Sequence, residues 1–219
     1  MMRIQKYLSQ QGILSRRETE NYIRRRLIKL NGKIVTTMGV LIDPVKDKVE
    51  VLSFGVAQDK KMTVAVYKPR GIVCSRNTDE GKTIFQLFPQ FNHLNVVGRL
   101  DKESEGLLLL SNDGVVTAKM TGENHLVEKE YEVTVREPVM PNHLKKMEMG
   151  MMLDGKKTLP AKATRLSRNS FSLILREGRN HQIRRMADAV HLTVEKLVRV
   201  RIGDITLSGL TSGKSCLIR

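Results

Sequence analysis

The stretch that most constrains this chain is residues 98–114, Gly-Arg-Leu-Asp-Lys-Glu-Ser-Glu-Gly-Leu-Leu-Leu-Leu-Ser-Asn-Asp-Gly. A half-exposed strand would alternate, so the unbroken run Leu107, Leu108, Leu109 and Leu110 predicts a short strand buried on both faces. Val96 and Val97 predict a second apolar strand on the other side. Between the two lies a polar segment holding Arg99 and Asp101, and Asn112-Asp113-Gly114 predicts a closing turn. A loop carboxylate held between two buried strands is well placed for a function. Most loop aspartates are nevertheless solvated or cap something, so these residues alone leave Asp101 unassigned.

The surrounding pattern mixes strands and helices. Met62-Thr63-Val64-Ala65-Val66-Tyr67 predicts a strand ending at the turn Lys68-Pro69-Arg70-Gly71. Thr83-Ile84-Phe85-Gln86-Leu87-Phe88 predicts a short helix before Pro89. Residues 128–135 predict a strand with Tyr131 near its head. Met147, Met149, Met151 and Met152 are expected as flexible core filler. No apolar run approaches 18 residues and the N-terminus lacks an apolar h-region, so neither a membrane span nor a secretory signal is expected. A cytoplasmic location follows. Cys74 and Cys216 form no paired motif and are expected as reduced thiols. The five histidines show no metal-ligand spacing, and no phosphate-cradling loop is present, so neither a metal nor a cofactor is expected.

Charge narrows the partner. The formal net charge is +15, which suits a polyanion, and it is concentrated. Residues 1–33 hold nine basic residues against Glu18 and Glu20, a net +7. Here Ser15-Arg16-Arg17-Glu18 predicts a capping box opening a helix, with Ile23 and Leu27 on its apolar stripe and Arg16, Arg17, Arg24, Arg25 and Arg26 around the rest. Ile28-Lys29-Leu30, Asn31-Gly32 and Lys33-Ile34-Val35 then predict a hairpin on a type I′ turn. Val49 and Val51 suggest a closing strand. Ahead of the capped helix, Ile4, Tyr7 and Leu8 fall at helical spacing before Gly12, a natural C′ residue, and two short helices followed by this hairpin resemble the S4 RNA-binding domain. The resemblance implies that Arg16, Arg17 and Arg24 grip phosphates, which a helix N-terminus and guanidinium forks both favour.

The longer string at 98–114 resembles the signature of the RsuA/RluB/RluE/RluF family of pseudouridine synthases. Lys129-Glu130-Tyr131, Glu177-Gly178-Arg179-Asn180-His181-Gln182-Ile183-Arg184-Arg185-Met186 and the strand at 196–203 match the family's other motifs, in order. Residues 124–135 lean towards the RluF-like, large-subunit type. The fold implied is α+β: an S4-like domain over 1–55, a linker over 56–61, and a catalytic domain over 62–219 built on a mixed, mostly antiparallel sheet with a central cleft. The function implied is isomerisation of a uridine in ribosomal RNA by a monomer, with structured RNA as partner. A tRNA substrate or a noncatalytic assembly factor are the alternatives.

By the same resemblance Asp101 is the catalytic carboxylate, attacking C1′ or removing a C2′ proton. Arg184 is its ion-pair partner, with Arg185 the competing candidate, since neighbours on a helix diverge by about 100°. Tyr131 is a catalytic residue that stacks on the flipped base and accepts or relays a proton, the alternative being a core or interface tyrosine, and Arg99 either fills the gap left in the RNA or contacts phosphate. Leu197 is the apolar wall under the base or a plain core leucine. Arg179 and Arg185 join the substrate-binding set, whereas His181 has no catalytic place in the family.

Overall fold

A computed structural model describes residues 1–52, 61–122 and 125–218. Most of the expected linker, and Asn124, lie outside the described residues. Lys61 at the linker's end is described and pairs with Glu18.

In chain order the strands and α-helices are β1 (Met2–Arg3), α1 (Ile4–Gln10), α2 (Arg16–Arg24), β2 (Ile28–Leu30), β3 (Lys33–Ile34), β4 (Leu41–Ile42) and β5 (Val49–Val51). There follow β6 (Thr63–Lys68), α3 (Ile84–Leu87), β7 (Asn95–Val97), β8 (Glu105–Ser111), α4 (Gly114–Thr121) and β9 (Lys129–Val135). The remainder are α5 (Pro141–Glu148), β10 (Met152–Leu153), β11 (Lys156–Lys157), β12 (Lys162–Arg165), β13 (Ser170–Leu175), α6 (Gln182–Asp188), β14 (Val194–Ile202), β15 (Ile205–Thr206) and β16 (Ser215–Ile218). They form two compact units, Met1–Met62 with Ser111–Lys119, and Thr63–Leu110 with Met120–Arg219.

In the first unit the Ser15 hydroxyl accepts from the Glu18 amide at 3.1 Å while the Glu18 carboxylate accepts from the Ser15 amide at 2.8 Å. This reciprocal cap sets the start of α2 and aims its arginines. Tyr22 and Ile23 are buried, and Arg16, Arg17, Arg24, Arg25 and Arg26 are all exposed. Asn31 and Gly32 both take positive φ, as a type I′ turn between β2 and β3 requires, and β5 pairs with β2 from the other side. The expected turn at residues 112–114 proves to be a helix start. The Asp113 carboxylate accepts from the amides of Val115 and Val116, opening α4. Gly114 lies so close to Ser15 that a Cβ there would collide with it.

The second unit is organised by a nine-stranded sheet in the order β12-β13-β9-β14-β8-β6-β16, with β15 on β14 and β7 on β8. Strand β8 has neighbours on both sides and its four leucines are fully buried, which explains why they do not alternate. Strand β9 does alternate, with Lys129, Tyr131 and Val133 on one face and Glu130 and Glu132 on the other. Of the methionines expected in the core, Met147 is fully buried, but Met149 and Met152 are each 63% exposed. Both lie outside the inward positions, just beyond α5 and at the start of the β10–β11 hairpin.

Gly106 marks the point where the polar loop becomes strand. It pairs with Arg199 of β14 in parallel register and has φ of +105°. A Cβ there would run into the Arg199 backbone. Gly106→Ala is expected to destabilise the fold by about 2–4 kcal/mol, from positive-φ strain and overpacking together, read by urea unfolding.

Candidate active site

The second unit carries a cleft of about 890 Å³ lined by Asp101, Arg99, Tyr131, Arg179, Arg184 and Leu197, among others. The sequence motifs therefore converge in space. Asp101 sits on the loop between β7 and β8, half-buried, with its carbonyl accepting from the Ser104 amide at 3.1 Å. Tyr131 and Leu197 are buried residues of the main core that also line the cleft. Tyr131 stands directly opposite Arg199 in the β9–β14 pair, and Leu197 opposite Val133, so the four share the cleft face. Arg99 is exposed at the mouth. Arg16, Arg17 and Arg24 belong to the other unit.

The expected pairing of Arg184 with Asp101 is not what the structure contains. Arg184 donates to the Glu103 carbonyl at 3.0 Å and the Val194 carbonyl at 3.4 Å. Among the described residues, no ion pair joins it to Asp101. The group facing Asp101 is His181, with Nε2 3.7 Å from Oδ1. His181 is the N-cap of α6 and takes a left-handed conformation at φ of +50°, which costs strain for a side chain of this kind. That backbone twist sets the imidazole beside the carboxylate, while Arg184, the third residue of α6, reaches the Glu103 carbonyl of the loop and the Val194 carbonyl of β14. The motif pattern had given His181 no place, because neither its backbone angle nor its neighbour can be read from residue spacing.

Arg185 and Arg179 brace structure. Arg185 pairs with Asp154 in the β10–β11 turn at 2.5 Å. Arg179 donates to the carbonyls of Lys156 and Lys157 and pairs with Glu177 at 3.1 Å. Together they tie the short hairpin to the segment leading into α6.

Two buried cations escaped the sequence reading. Lys68, at 0% exposure, donates to the carbonyls of Ile72 at 2.8 Å, Pro69 at 3.0 Å and Lys102 at 3.3 Å. Arg199, at 1% exposure, donates to the carbonyls of Leu107 and Gly98, each at 2.8 Å, and to that of Arg99 at 3.5 Å. Lysine and arginine are almost never fully buried unless paired, and here the partners are backbone carbonyls, among them those of Gly98, Arg99 and Lys102 on either side of Asp101. Burial pushes the Lys68 ammonium below its usual range, and the nearby Asp101 carboxylate acts against that shift. Burial also raises the Cys74 thiol, so this cleft-lining cysteine is held as a thiol and is a poor nucleophile. Residue order places Lys68 only in a turn before Pro69 and Arg199 only in the last strand motif. Only the tertiary fold shows what they hold.

Among the described residues, no group of three or more His, Cys, Asp or Glu converges as a metal would need, and no helix is long and apolar enough to cross a membrane. The cleft places the Asp101 carboxylate and the Tyr131 ring among the basic side chains of Arg99, Lys129, Arg179, Arg184 and Arg199. Arg199→Met removes the donor from the Leu107 and Gly98 carbonyls. We expect it to lower stability by about 2–4 kcal/mol in urea unfolding, the penalty for buried acceptors left unpaired.

Comparison with known proteins agrees with this geometry. Residues 62–189 match the RNA pseudouridylate synthase family and residues 2–47 match the S4 domain. The ribosomal large subunit pseudouridine synthase B of Bacillus subtilis is 35% identical over 223 residues, covering 97% of this chain and 90% of that protein. The dual-specificity RNA pseudouridine synthase RluF of Escherichia coli is also 35% identical, over 97% of this chain and 74% of its own. A crystal structure of a pseudouridylate synthase superposes with a TM-score of 0.73 at 32% identity, covering 100% of this chain and 96% of that one. The chain thus belongs to the RNA pseudouridylate synthase family, with an S4 domain at its N-terminus.

Proposed function

We propose that this protein converts one uridine of ribosomal RNA, in the large subunit, to pseudouridine, with Asp101 as its catalytic carboxylate. The observation that carries the reading is the loop of Asp101, fixed from beneath by Arg199 and Lys68 and opening into a basic cleft beside Tyr131. The ribosomal synthases among the relatives support the RNA class.

A base inside a helix must leave its stack to reach such a cleft. Tyr131 then offers a ring face for the uracil and Leu197 an apolar wall beneath it. Arg99, exposed at the mouth, fills the space the base has left. Asp101 either bonds to C1′ or removes the C2′ proton. Arg184 holds the Glu103 carbonyl and so steadies the loop, and it is the cation within the motif that can turn towards Asp101 when RNA enters. Arg179 and Arg185 contribute to substrate binding through the hairpin they brace. The S4-like domain over residues 1–55 presents Arg16, Arg17 and Arg24 to RNA phosphates, and residues 62–219 form the catalytic domain. The enzyme acts as a monomer in the cytoplasm, where ribosomes are assembled.

Carbodiimide-block primer extension on RNA from cells with and without the gene tests the reaction. One ribosomal site is expected to depend on the gene and to vanish with Asp101→Asn. A site surviving that substitution removes Asp101 from the mechanism; a gene-dependent site found only in tRNA changes the substrate, and none at all favours an assembly factor. For the S4-like domain, replacing Arg16, Arg17 and Arg24 with alanine is expected to reduce the slope of log affinity against log salt by about 2–3. An unchanged slope would show that these arginines do not touch phosphate.

A further inference from the structure

Strands β9 and β14 carry cations on both faces of the sheet, and the two faces treat them oppositely. Facing Glu130, Arg201 pairs with Glu130 at 2.9 Å and Glu128 at 3.2 Å, and Lys196 pairs with Glu105 at 3.1 Å. A register shift between Arg199 and Arg201 sends these two arginines to opposite faces. On the cleft face Arg199 bonds only to carbonyls. Lys129 donates to the Val127 carbonyl at 3.2 Å, and among the described residues it has no carboxylate partner. The cations of these two strands are thus paired with carboxylates behind the sheet, whereas among the described residues Arg199 and Lys129 on the cleft face are not.

Lys129 and Tyr131 lie two apart on β9, so their side chains leave the same face about 7 Å apart. Both line the cleft with Asp101. Lys129 is half-buried, and its burial and the nearby Arg199 lower its affinity for a proton. A cation so desolvated interacts more strongly with a nearby anion than one in water.

The reaction creates such an anion, if Asp101 acts as proposed above. When the N1–C1′ bond breaks, its electron pair goes to the uracil. If the carboxylate bonds to C1′, it becomes a neutral ester; if it takes the C2′ proton, it becomes a neutral acid and the sugar a glycal. In both routes one negative charge moves from Asp101 to the detached base. Attack of C5 on C1′, with C2′ reprotonated in the second route, returns the charge to the carboxylate. Passage of the C5 proton to N1 completes the isomer. The stabilising cation must therefore stand where the base is.

We propose that Lys129 is a catalytic residue whose ammonium stabilises the negative charge on the detached uracil while the ring turns beside Tyr131. Its test uses the full-length enzyme and an rRNA fragment containing the target uridine. Single-turnover rates at saturating enzyme are compared with binding at several salt concentrations for wild type, Lys129→Met and Lys129→Arg. The methionine variant is expected to lose on the order of 10²-fold in rate, as when one preorganised donor to a developing anion is removed, with affinity almost unchanged. Arginine is expected to restore most of the rate. With 5-fluorouridine at the target position the uracil departs as a weaker base, so the loss in N1–C1′ cleavage should shrink.

A full rate for Lys129→Met, or an equal loss on both substrates, would overturn the proposal. So would a retained rate with weaker binding and a salt slope reduced by about 1, the mark of a phosphate contact. Should the methionine variant fail to fold, the arginine variant decides: an inactive but folded Lys129→Arg protein overturns the assignment, and an active one supports it. A wild type that acts on no RNA overturns the Asp101 reading together with this one. An active wild type with dead Asp101→Asn and unimpaired Lys129→Met overturns this one alone.

Discussion

The site depends on a guanidinium that, among the described residues, has no carboxylate to answer it. Arg199 is buried in the sheet and satisfies its charge with the carbonyls of Gly98, Arg99 and Leu107. Lys68 does the same from the other side through Lys102, Ile72 and Pro69. Backbone carbonyls can solvate a cation without cancelling it. The loop is therefore both pinned and bathed in positive potential, two properties that an ordinary salt bridge would trade against each other.

The same principle sorts the charges of the whole sheet. Arg201 lies two residues from Arg199, yet it meets two carboxylates behind the sheet, and the register shift between the two arginines makes the difference. One irregularity in strand pairing thus separates a structural ion-pair network from the cations that line the cleft. Arg179 and Arg185 are further cations whose charge is given to structure, through the hairpin next to α6.

Much of this was legible in residue order. The capping box at Ser15, the Asn31-Gly32 turn and the unbroken leucines of β8 are local features, and local rules predicted them. The motifs that meet in the cleft were also visible, because each carries its own pattern. Other features had no local signature. Asp113 was taken for a turn because capping and turning use the same residues; only the helix that follows tells them apart. Arg184 was matched to Asp101 by motif, while the side chain at 3.7 Å is His181, placed by a backbone angle. Nothing local marks Lys68 and Arg199 as buried, because burial of a cation is decided by carbonyls distant in sequence.

Gly106 has a consequence for how such a loop can vary. Its close approach to the Arg199 backbone fixes where the loop ends, and the Arg199 side chain, reaching Gly98, fixes where it begins. Surface loops usually absorb insertions and deletions with ease. This one is measured at both ends against a single residue of the neighbouring strand, so it can change what it displays far more readily than how long it is.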